Sequence, residues 1–470
     1  MKKKILATAV AMCALGCATS AQAGRFVVMS KTNGFDAALA RKVEAAGGVV
    51  TARLPQIGVA IVEAPAADFA SRAGKVPGVR SVTADVELKF AIPESKMLEE
   101  DAVNPPGFDN DRYFNLQWPQ AAIDAAGAWN AGYRGAGATV AVLDAGVACA
   151  HADIAPNLLL ADSTSFVPGE SVCLSHFGFN HGTHVAGTIA APDNGIGTIG
   201  VAPEAKFFAV KVLSEVSGGG SFAGIIQGIV YAADHGADVI NMSLGVAGGM
   251  NIGGKDVAEL VNATARATRY AASQNALIVA SAGNDALDLD HASGLTCNET
   301  TGECQTVNLR SFPSSLPGVL AVSATAPVGW GLDTAHTPLD NPASYSNYGQ
   351  SAIDLAAPGG DFVLPGNDIC IVPTNTTPIA QYCWALDMVM APGGYGNGPV
   401  AGSSYTWSAG TSMAAPHVSG VAALIIGKNG GEMSPAAVIR ALRASADDLG
   451  KPGNDDHYGA GRVNARRAVQ

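Results

Sequence analysis

Four continuously apolar segments, separated by helices of small residues, are the feature that most constrains the fold of this chain. Each segment is rich in Val, Ile, Leu and Ala along its whole length, and the helical stretches Phe222–His235 and Asp256–Ser273 separate the last three. Continuous apolar strands joined by helices are typical of a parallel sheet covered on both faces. We therefore predict a three-layer α/β domain with a mostly parallel central sheet, whose strands include Ala138–Leu143, Lys206–Leu213, Ala237–Leu244 and Ala276–Gly283.

The N-terminal part of the chain has a different pattern. After residue 23, the sequence predicts strand, helix, strand, strand, helix and strand, ending with the long strand "VRSVTADVELKF". That order builds a small α+β unit of the split βαβ type, which we assign to residues 24–91. Residues 92–114 are acidic, contain prolines and lack periodicity, so we predict an exposed linker where proteolytic cutting concentrates. The larger domain then spans residues 115–470.

The first 23 residues have the composition of a signal peptide. Three lysines precede an apolar run from Ile5 to Leu15, and the segment 21–23 offers small residues for cleavage. This run is too short for a stable membrane span, and the rest of the chain has no run of about 20 apolar residues. A lipoprotein processed at Cys17 is the alternative, although Ala14 stands where a larger aliphatic residue is usual. We therefore expect a secreted protein without a membrane span.

Charge and cysteine content narrow the class of protein further. The net charge of −12 argues against a nucleic-acid partner, which would need a basic face. Of the eight cysteines, Cys13 and Cys17 lie in the signal peptide, and an even remainder in an exported chain favours disulfides. Metal ligation is the rival, but no CxxC spacing supports it. The remaining cysteines lie in near-neighbour pairs, so the predicted disulfides are Cys149–Cys173, Cys297–Cys304 and Cys370–Cys383.

Four polar side chains stand just past strand ends or at helix starts. Asp144 follows "VAVL", His181 opens "HGTHVAGTIAA", Asn284 follows "IVASAG", and Ser412 begins a helix of small residues. Because the carboxyl ends of parallel strands share one edge of a sheet, we expect these side chains to lie close together. Pro416 falls in the predicted first turn of the Ser412 helix, where its missing N–H would cost nothing.

An aspartate, a histidine, a serine and an asparagine at one edge are the groups that acyl transfer to a serine requires. A serine hydroxyl becomes a nucleophile when a base takes its proton, and imidazole titrates near neutral pH. Asp144 would orient the His181 ring. The Asn284 amide and the backbone N–H of Ser412 would donate to the developing oxyanion. The small residues around Ser412 leave room for a substrate backbone.

Five motifs in order along the chain, "AVLDAGV", "HGTHVAGTIAA", "NMSLG", "SAGN" and "GTSMAAPHVSG", resemble those of the subtilisin family of serine proteases. The resemblance runs from about Trp129 to the C-terminus, and the preceding unit looks like the inhibitory, ferredoxin-like pro-domain of that family. It implies a secreted, monomeric serine endopeptidase. Such an enzyme cleaves peptide bonds through an acyl-enzyme, is made as an autoprocessed precursor and is inhibited by its own pro-domain.

The resemblance also assigns roles to single residues. The second histidine of "HGTH", His184, is expected to pack inside its helix, as is His417; a metal site at the "HGTH" pair is the alternative. The family usually has Ser or Thr after the aspartate, where this chain has Ala145, so Asp144 loses one hydrogen-bond donor. The four catalytic roles fall on Asp144 (orienting carboxylate), His181 (base), Ser412 (nucleophile) and Asn284 (oxyanion donor).

The segments "SGGG" and "SLG" match the two backbone segments of the family to which a peptide substrate adds as a further strand. For "SGGG" a flexible surface turn is the alternative, and the inserted loop 285–310 leaves the side-chain preference of the specificity pocket unreadable. The predicted substrate-binding residues are Gly218, Gly219, Gly220, Ser243, Leu244 and Gly245.

The segment "APDNGIGTIGVAP", residues 191–203, resembles the family's calcium loop. Calcium prefers several oxygen ligands, and here the ion would brace the loop that follows the His181 helix. A metal-free Gly-rich turn is the alternative. The predicted ligands are the carboxylate of Asp153, the amide of Asn194, and the carbonyls of Pro192, Ile196 and Thr198, with Gln117 as a further candidate.

Two other functions fit the same fold. The chain could be a catalytically inactive binding protein, but all four catalytic positions are filled. It could instead hydrolyse small esters with the same triad, but the extended glycine-flanked cleft and the pro-domain argue against that. Turnover of casein, against turnover of small activated esters alone, separates an endopeptidase from an esterase.

Overall fold

The computed structural model describes residues 24–65, 68–90, 94–98, 111–174, 178–297, 304–374, 377–395 and 403–470, with the backbone alone for 94–98 and 296–297. The predicted signal peptide and the alternative processing site at Cys17 lie outside these residues. The helices are α1 (Ala37–Ala45), α2 (Phe69–Ala73), α3 (Trp118–Ala122), α4 (Ala125–Asn130), α5 (His181–Ala190), α6 (Phe222–Asp234), α7 (Lys255–Ser273), α8 (Thr411–Lys428), α9 (Pro435–Ser445) and α10 (Ala465–Ala468). The strands are β1 (Gly24–Ser30), β2 (Val49–Leu54), β3 (Val59–Ala64), β4 (Val79–Ala84), β5 (Glu87–Lys89), β6 (Glu94–Leu98), β7 (Thr139–Asp144), β8 (Thr164–Ser165), β9 (Gly178–Phe179), β10 (Lys206–Lys211), β11 (Gly219–Ser221), β12 (Val239–Met242), β13 (Met250–Asn251), β14 (Leu277–Ser281), β15 (Ser293–Cys297), β16 (Cys304–Arg310), β17 (Val319–Ala326), β18 (Asn341–Pro342), β19 (Leu355–Pro358), β20 (Ile369–Val372), β21 (Ile379–Tyr382), β22 (Val389–Tyr395) and β23 (Ser403–Ala409).

A sheet of eight strands forms the centre of the larger domain. Its order is β18-β17-β14-β12-β7-β10-β8, and β19 also pairs with β17. Each of these pairs is parallel except β17 with β18. The four apolar segments of the sequence became β7, β10, β12 and β14, which lie side by side in the middle. The predicted, mostly parallel central sheet is therefore confirmed.

Alternate residues of β7 face two separate cores. Val140 and Val142 pack into a core with α5 and α8, whereas Ala141 and Leu143 pack into a core with α6 and α7. Because both faces of the strand are covered, every position favours an apolar residue. The three-layer arrangement follows from this: two helices on each side hold the carboxyl ends of the strands at one rim.

The N-terminal unit has the predicted order of elements, and its strands form an antiparallel sheet in the order β2-β3-β1-β4. One face of this sheet packs with α1 and α2 around Phe35, Val43 and Phe69. The other face contributes Val27 and Ile61 to the core that contains α6 and α7. The unit therefore lies directly on these two helices of the larger domain.

The end of this unit departs from the predicted single strand. The segment "VRSVTADVELKF" divides at Asp85, which pairs with Arg25 (Nε–Oδ2 2.6 Å) and accepts from the backbone N–H of Ala223 at the start of α6 (3.0 Å). The second half, β5, leaves the small sheet and pairs antiparallel with β11. A charged residue that caps a helix of the other domain thus turns one predicted strand into two.

The predicted exposed linker, residues 92–114, is wrong at two places. Its residues 94–98 form β6, which pairs antiparallel with β23 in a sheet of the order β6-β23-β22-β9. Its last residues belong to the larger domain, because Asp111 and Tyr113 are both 0% exposed. Acidic and aromatic residues here are buried parts of the fold, which the lack of periodicity concealed.

Two of the predicted disulfides are present, Cys149–Cys173 and Cys370–Cys383, with Cα separations of 5.3 and 5.0 Å. Cys297 and Cys304 stand opposite each other in the β15–β16 hairpin, and Cys304 is disulfide-bonded. The side chain of Cys297 lies outside the described part, so this third pair stays a prediction. Among the helices of the described ranges, none is long and apolar enough to cross a membrane.

Candidate active site

Asp144 and His181 form one half of the candidate site. Asp144 ends β7 and is 1% exposed. His181 is the first residue of α5, whose N-cap Asn180 accepts from the backbone N–H of Thr183 (2.8 Å). The ring Nδ1 of His181 lies 2.8 and 3.0 Å from the two carboxylate oxygens of Asp144. A carboxylate in this position fixes the imidazole with Nδ1 protonated and leaves Nε2 as the base.

The Asp144 carboxylate has a second donor despite the alanine that follows it. The backbone N–H of Ala145 donates to Asp144 Oδ1 at 2.7 Å. His181 Nε2 has no hydrogen-bond partner among the described residues, and His181 lines a cleft together with Phe90 and Ser243. The imidazole is therefore oriented through Nδ1, and Nε2 is left without a partner in the described residues.

Ser412 lies in the first turn of α8, an 18-residue helix, where the positive end of the helix dipole favours a developing negative charge. Its hydroxyl donates to the carbonyl of Ser243 at 3.2 Å. Within the described residues no hydrogen bond joins this hydroxyl to His181. Rotation about the Cα–Cβ bond is what the hydroxyl needs to change partner, and such bonds often tighten only when substrate is present.

The predicted reason for tolerating Pro416 is wrong. Because α8 begins at Thr411, the missing N–H of Pro416 lies beyond the first turn and would have bonded the carbonyl of Ser412, four residues earlier. That carbonyl instead accepts from the Ser243 hydroxyl at 2.8 Å. Ser243 and Ser412 therefore exchange hydrogen bonds, and the proline is what leaves the carbonyl free for this exchange.

Asn284 follows β14 and is held by the residue before the serine. Its Oδ1 accepts from both the backbone N–H (2.9 Å) and the hydroxyl (2.7 Å) of Thr411. With the oxygen so fixed, the amide Nδ2 is turned away from Thr411. Asn284 and Ser412 line one small pocket together with Gly245. The amide and the start of α8 are thus placed as a pair of donors around one point.

His184 and His417 lie on helices with their rings buried, as expected. His184 Nε2 lies 3.1 Å from the carbonyl of Val389 and 3.0 Å from that of Thr406, and His417 Nδ1 lies 2.7 Å from that of Met413. Burial lowers the pKa of His184 to about 3 and that of His417 to about 4. Neither faces the cleft as a base.

The predicted substrate-binding segments lie on either side of a strand from the N-terminal unit. Gly219 and Gly220 lie in β11, with Gly220 opposite Leu88 of β5, and Gly218 lines the cleft. A side chain at Gly220 would approach the carbonyl of Val212 to 2.7 Å, so only glycine fits there. The segment Ser243, Leu244, Gly245 leads directly to Val246, which forms an antiparallel bridge with Phe90.

The predicted calcium ligands gather around a buried carboxylate. Asp153 is 0% exposed, and it accepts from the backbone N–H of Thr198 (2.9 Å) and from the amide of Asn194 (3.2 Å). A second buried carboxylate, Asp111, accepts from the backbone N–H of Ile196 (2.9 Å), while Pro192 precedes these residues on the same loop. Burial raises the pKa of Asp153 to about 8 and that of Asp111 to about 7.

The side-chain amide of Gln117, the further calcium-ligand candidate, makes a reciprocal pair with the backbone of Ile199, at 3.0 and 2.9 Å. Its role as a ligand stays a prediction. In the described residues no group of three or more His, Cys, Asp or Glu side chains could hold a metal ion. Asp111 and Asp153 are nevertheless two buried carboxylates, and carboxylate oxygens are ligands that calcium prefers.

Sequence reasoning also missed residues that support the site. Thr411 and the Ser243 hydroxyl were inside quoted motifs, but their roles depend on side-chain orientation, which a motif does not give. Asn180 precedes "HGTH" and carries the N-cap signal, an Asn immediately before a helix. Asp111 lay in the segment dismissed as a linker.

The model of the subtilase family matches residues 135–461. The chain is 34% identical to the M-protease of Shouchella clausii over 387 residues, which is 82% of this chain and 77% of the relative. It is 34% identical to Subtilisin Savinase of Lederbergia lenta over 357 residues, 76% of this chain and 99% of the relative. Among solved structures, the epidermin leader peptide processing serine protease of Staphylococcus aureus has the same fold, with a TM-score of 0.67, 22% identity, and coverage of 95% of this chain and 98% of that one.

Proposed function

The chain belongs to the subtilase family of serine proteases, and from that premise we propose that it is a secreted endopeptidase that separates itself from its N-terminal unit by its own cut. The observation that carries this proposal is the path of the chain through the candidate site. Phe90 is bridged to Val246 on one side of Ser412, and Glu94 is paired with Ala409, three residues before Ser412, on the other. The chain is thus held as an added strand on both sides of the nucleophile.

In the proposed reaction, Ser412 Oγ attacks the carbonyl carbon of the scissile peptide bond while His181 Nε2 takes its proton. The Asn284 amide and the N–H groups at the start of α8 stabilise the oxyanion, and Asp144 stabilises the imidazolium. The imidazolium then gives its proton to the leaving amine, which leaves an acyl-enzyme. Water, activated by the same imidazole, releases the acid and restores Ser412.

The same path predicts where the maturation cut falls. Strands β5 and β6 flank residues 91–93, which lie outside the described residues. We expect the cut between Phe90 and Glu94, far from most of the predicted linker. A cut there leaves the N-terminal unit, with β5 still paired to β11, as an inhibitor in the cleft.

Comparing wild type with Ser412→Ala tests self-processing. Expressed in a protease-deficient host, the wild-type chain should yield two fragments, and N-terminal sequencing of the larger should begin between residues 91 and 94. Ser412→Ala should stay uncut. If the variant is trimmed as fully as wild type, self-processing is wrong. If wild type cuts small esters but not casein, the chain is an esterase and not an endopeptidase.

Secretion is part of the proposal because two features agree with it. The first 23 residues have the charge and apolar run of a signal peptide. The disulfides Cys149–Cys173 and Cys370–Cys383 are typical of an oxidising compartment. Mass spectrometry of the intact precursor from culture medium should show that residues 1–23 are absent and that the disulfides are present.

A bound calcium ion is the second part of the proposal. Asp111 and Asp153 are buried carboxylates; burial opposes the ionisation of both, and the charge of Asp111 further opposes that of Asp153. A divalent cation would let both ionise. Asp111, Asp153, the Asn194 amide and the carbonyls of Pro192, Ile196 and Thr198 would hold it. The ion would brace the loop after α5 and take no part in bond cleavage.

Chelation tests the calcium site without using activity. In the Ser412→Ala precursor, which cannot digest itself, saturating calcium should raise stability by about 2.7 kcal/mol at a hundredfold excess over Kd, and EGTA should remove that gain. Asp153→Asn is the variant for comparison, because it keeps the size of the side chain and removes a ligand charge. A melting temperature that EGTA leaves unchanged in the parent would refute the site.

A further inference from the structure

A fully buried lysine lies beside Asp144 and has no role in the proposed reaction. Lys211 ends β10, directly opposite Asp144 in the parallel register of β10 and β7, and its side chain is 0% exposed. Its Nζ donates to the carbonyl of Ala145 (2.8 Å) and lies 3.0 Å from Glu170 and 3.4 Å from Glu215. The buried ammonium thus has one backbone acceptor and two carboxylates as counter-charges.

The carbonyl that Lys211 binds belongs to the residue that supports the Asp144 carboxylate. Ala145 donates its N–H to Asp144 Oδ1, and its carbonyl accepts from Lys211 and, at 3.3 Å, from the amide of Asn180. Asn180 is also the N-cap of the helix that starts with His181. Since Ala145 has no hydroxyl to offer, the second donor to Asp144 is a backbone group. The direction of that N–H therefore depends on the contacts that hold the backbone of Ala145.

The two glutamates join this lysine to the wall of the cleft. Glu170 accepts from the Ser214 hydroxyl (2.5 Å) and from the N–H of Glu215 (3.0 Å), and both of these residues line the cleft with His181. Although burial alone raises the pKa of Glu170, the hydrogen bonds from Ser214, Glu215 and Lys211 outweigh it and lower the pKa. Glu170 therefore remains the anion that keeps Lys211 in place.

We infer that Lys211 is a positioning residue for Asp144: it fixes the backbone of Ala145, so that the N–H of that residue and His181 hold the carboxylate in the orientation that catalysis needs. Glu170 and Glu215 hold the lysine itself. This inference rests on the proposed function, because it assigns a support to the proposed triad. The alternative is that Lys211 only balances buried charge and contributes stability alone.

Removing the whole charge cluster separates these two roles. Lys211→Met alone leaves two acids without their cation, so its loss of stability says little. The triple variant Lys211→Met, Glu170→Gln, Glu215→Gln removes all three charges and should recover most of the melting temperature. A positioning role predicts that its kcat on a peptide substrate stays about 10- to 100-fold below wild type with KM changed much less. The low-field proton resonance of the His181–Asp144 hydrogen bond should shift or broaden.

Lys206→Met is the matched control. Lys206 lies at the other end of β10 and also donates to a backbone carbonyl, that of Pro156 (3.0 Å), and to Asn157 (2.8 Å). Its removal should leave kcat, KM and the low-field resonance unchanged. Glu170→Gln alone is the milder variant if the triple variant does not fold. It should lower kcat a few-fold and move the same resonance.

Wild-type kcat with an unmoved resonance, in the triple variant or in Glu170→Gln, would overturn the inference. The outcome is distinguishable from failure of the proposed function. If the wild-type enzyme itself cleaves no peptide, the proposed function fails. If wild type and the triple variant cleave equally well, the inference about Lys211 alone fails.

Discussion

The two halves of the candidate site differ in how completely they are assembled. In the base half, His181 and the N–H of Ala145 both donate to the buried carboxylate of Asp144. In the nucleophile half, Thr411 holds Asn284, but the Ser412 hydroxyl donates to Ser243 at 3.2 Å and not to His181. The groups that must keep still are fixed by several short contacts. The group that must attack has one longer contact.

Substitution of His181 or Ser412, one from each half, should give the largest fall in kcat. Ser412→Ala and His181→Ala should each lower kcat by about 10⁶, the scale measured for the same changes in subtilisin, and the double variant should lose little more. Loss of either member ends nucleophilic catalysis, so the two effects do not add. Initial rates of the mature forms, prepared by supplying the N-terminal unit in trans, measure this. An additive double loss would mean that the halves act independently.

The proposed oxyanion donor, Asn284, belongs to the nucleophile half, and its removal should lower kcat by a smaller factor. Asn284→Ala should lower kcat by about 10²- to 10³-fold with little change in KM, the scale measured for the corresponding change in subtilisin. Thr411→Val keeps the N–H that holds Asn284 but removes the hydroxyl, and should cost about tenfold or less. Equal losses in the two variants would show that Asn284 acts by packing and not by donating.

Each half includes a helix with a buried histidine, His184 on α5 and His417 on α8. Substitution of either histidine should change the free energy of unfolding and leave kcat unchanged. Burial lowers the folded-state pKa of each well below the ordinary 6.5. The unfolded chain therefore takes up protons near pH 6.5 while the folded chain does not. The stability that these residues contribute is full above that pH and is lost as the pH falls towards 4.

At pH 5 each neutral histidine should lower the free energy of unfolding by about 2 kcal/mol relative to pH 7.5. Urea unfolding of the Ser412→Ala precursor at the two pH values measures the total. His417→Gln should show a loss smaller by that amount. If the variant loses as much as its parent, protonation of His417 is not the cause.

The exchange of hydrogen bonds between Ser243 and Ser412 should affect stability by about as much as each of these histidines does. Ser243→Ala leaves the Ser412 carbonyl without a donor and should lower stability by about 1–3 kcal/mol. Pro416→Ala restores a helical N–H for that carbonyl, so the double variant should recover most of the loss. Thermal unfolding of the four forms in a double-mutant cycle checks this. Purely additive effects would contradict the link between the proline and the exchange.

The sequence predicts which residues form the candidate site, but not the contacts that support them. Asp144, His181, Asn284 and Ser412 are candidates because each follows or opens a buried element, and the ends of parallel strands share one edge. The partners of Lys211 could not be found this way. Glu170 comes from a loop 41 residues earlier, and no local pattern pairs it with a strand residue.

The segment before the larger domain was the main error of prediction. Its acidic, aperiodic composition is typical of an exposed linker, yet β6 adds to the edge of β23 and Asp111 is buried. Edge pairing uses the backbone and leaves little trace in composition. The side-chain rotamer of Ser412 leaves no trace in composition either, because a hydroxyl can donate to different partners.

The passage of one continuous chain from β5 to β6 has a consequence for when activity begins. While the chain is intact, β5 meets β11 at an effective concentration on the order of millimolar, set by connectivity alone. After the proposed cut, occupancy of the cleft would depend on the concentration of free N-terminal units. Dilution into open medium would then release the N-terminal unit and start proteolysis. In a confined compartment the same enzyme molecules would remain inhibited.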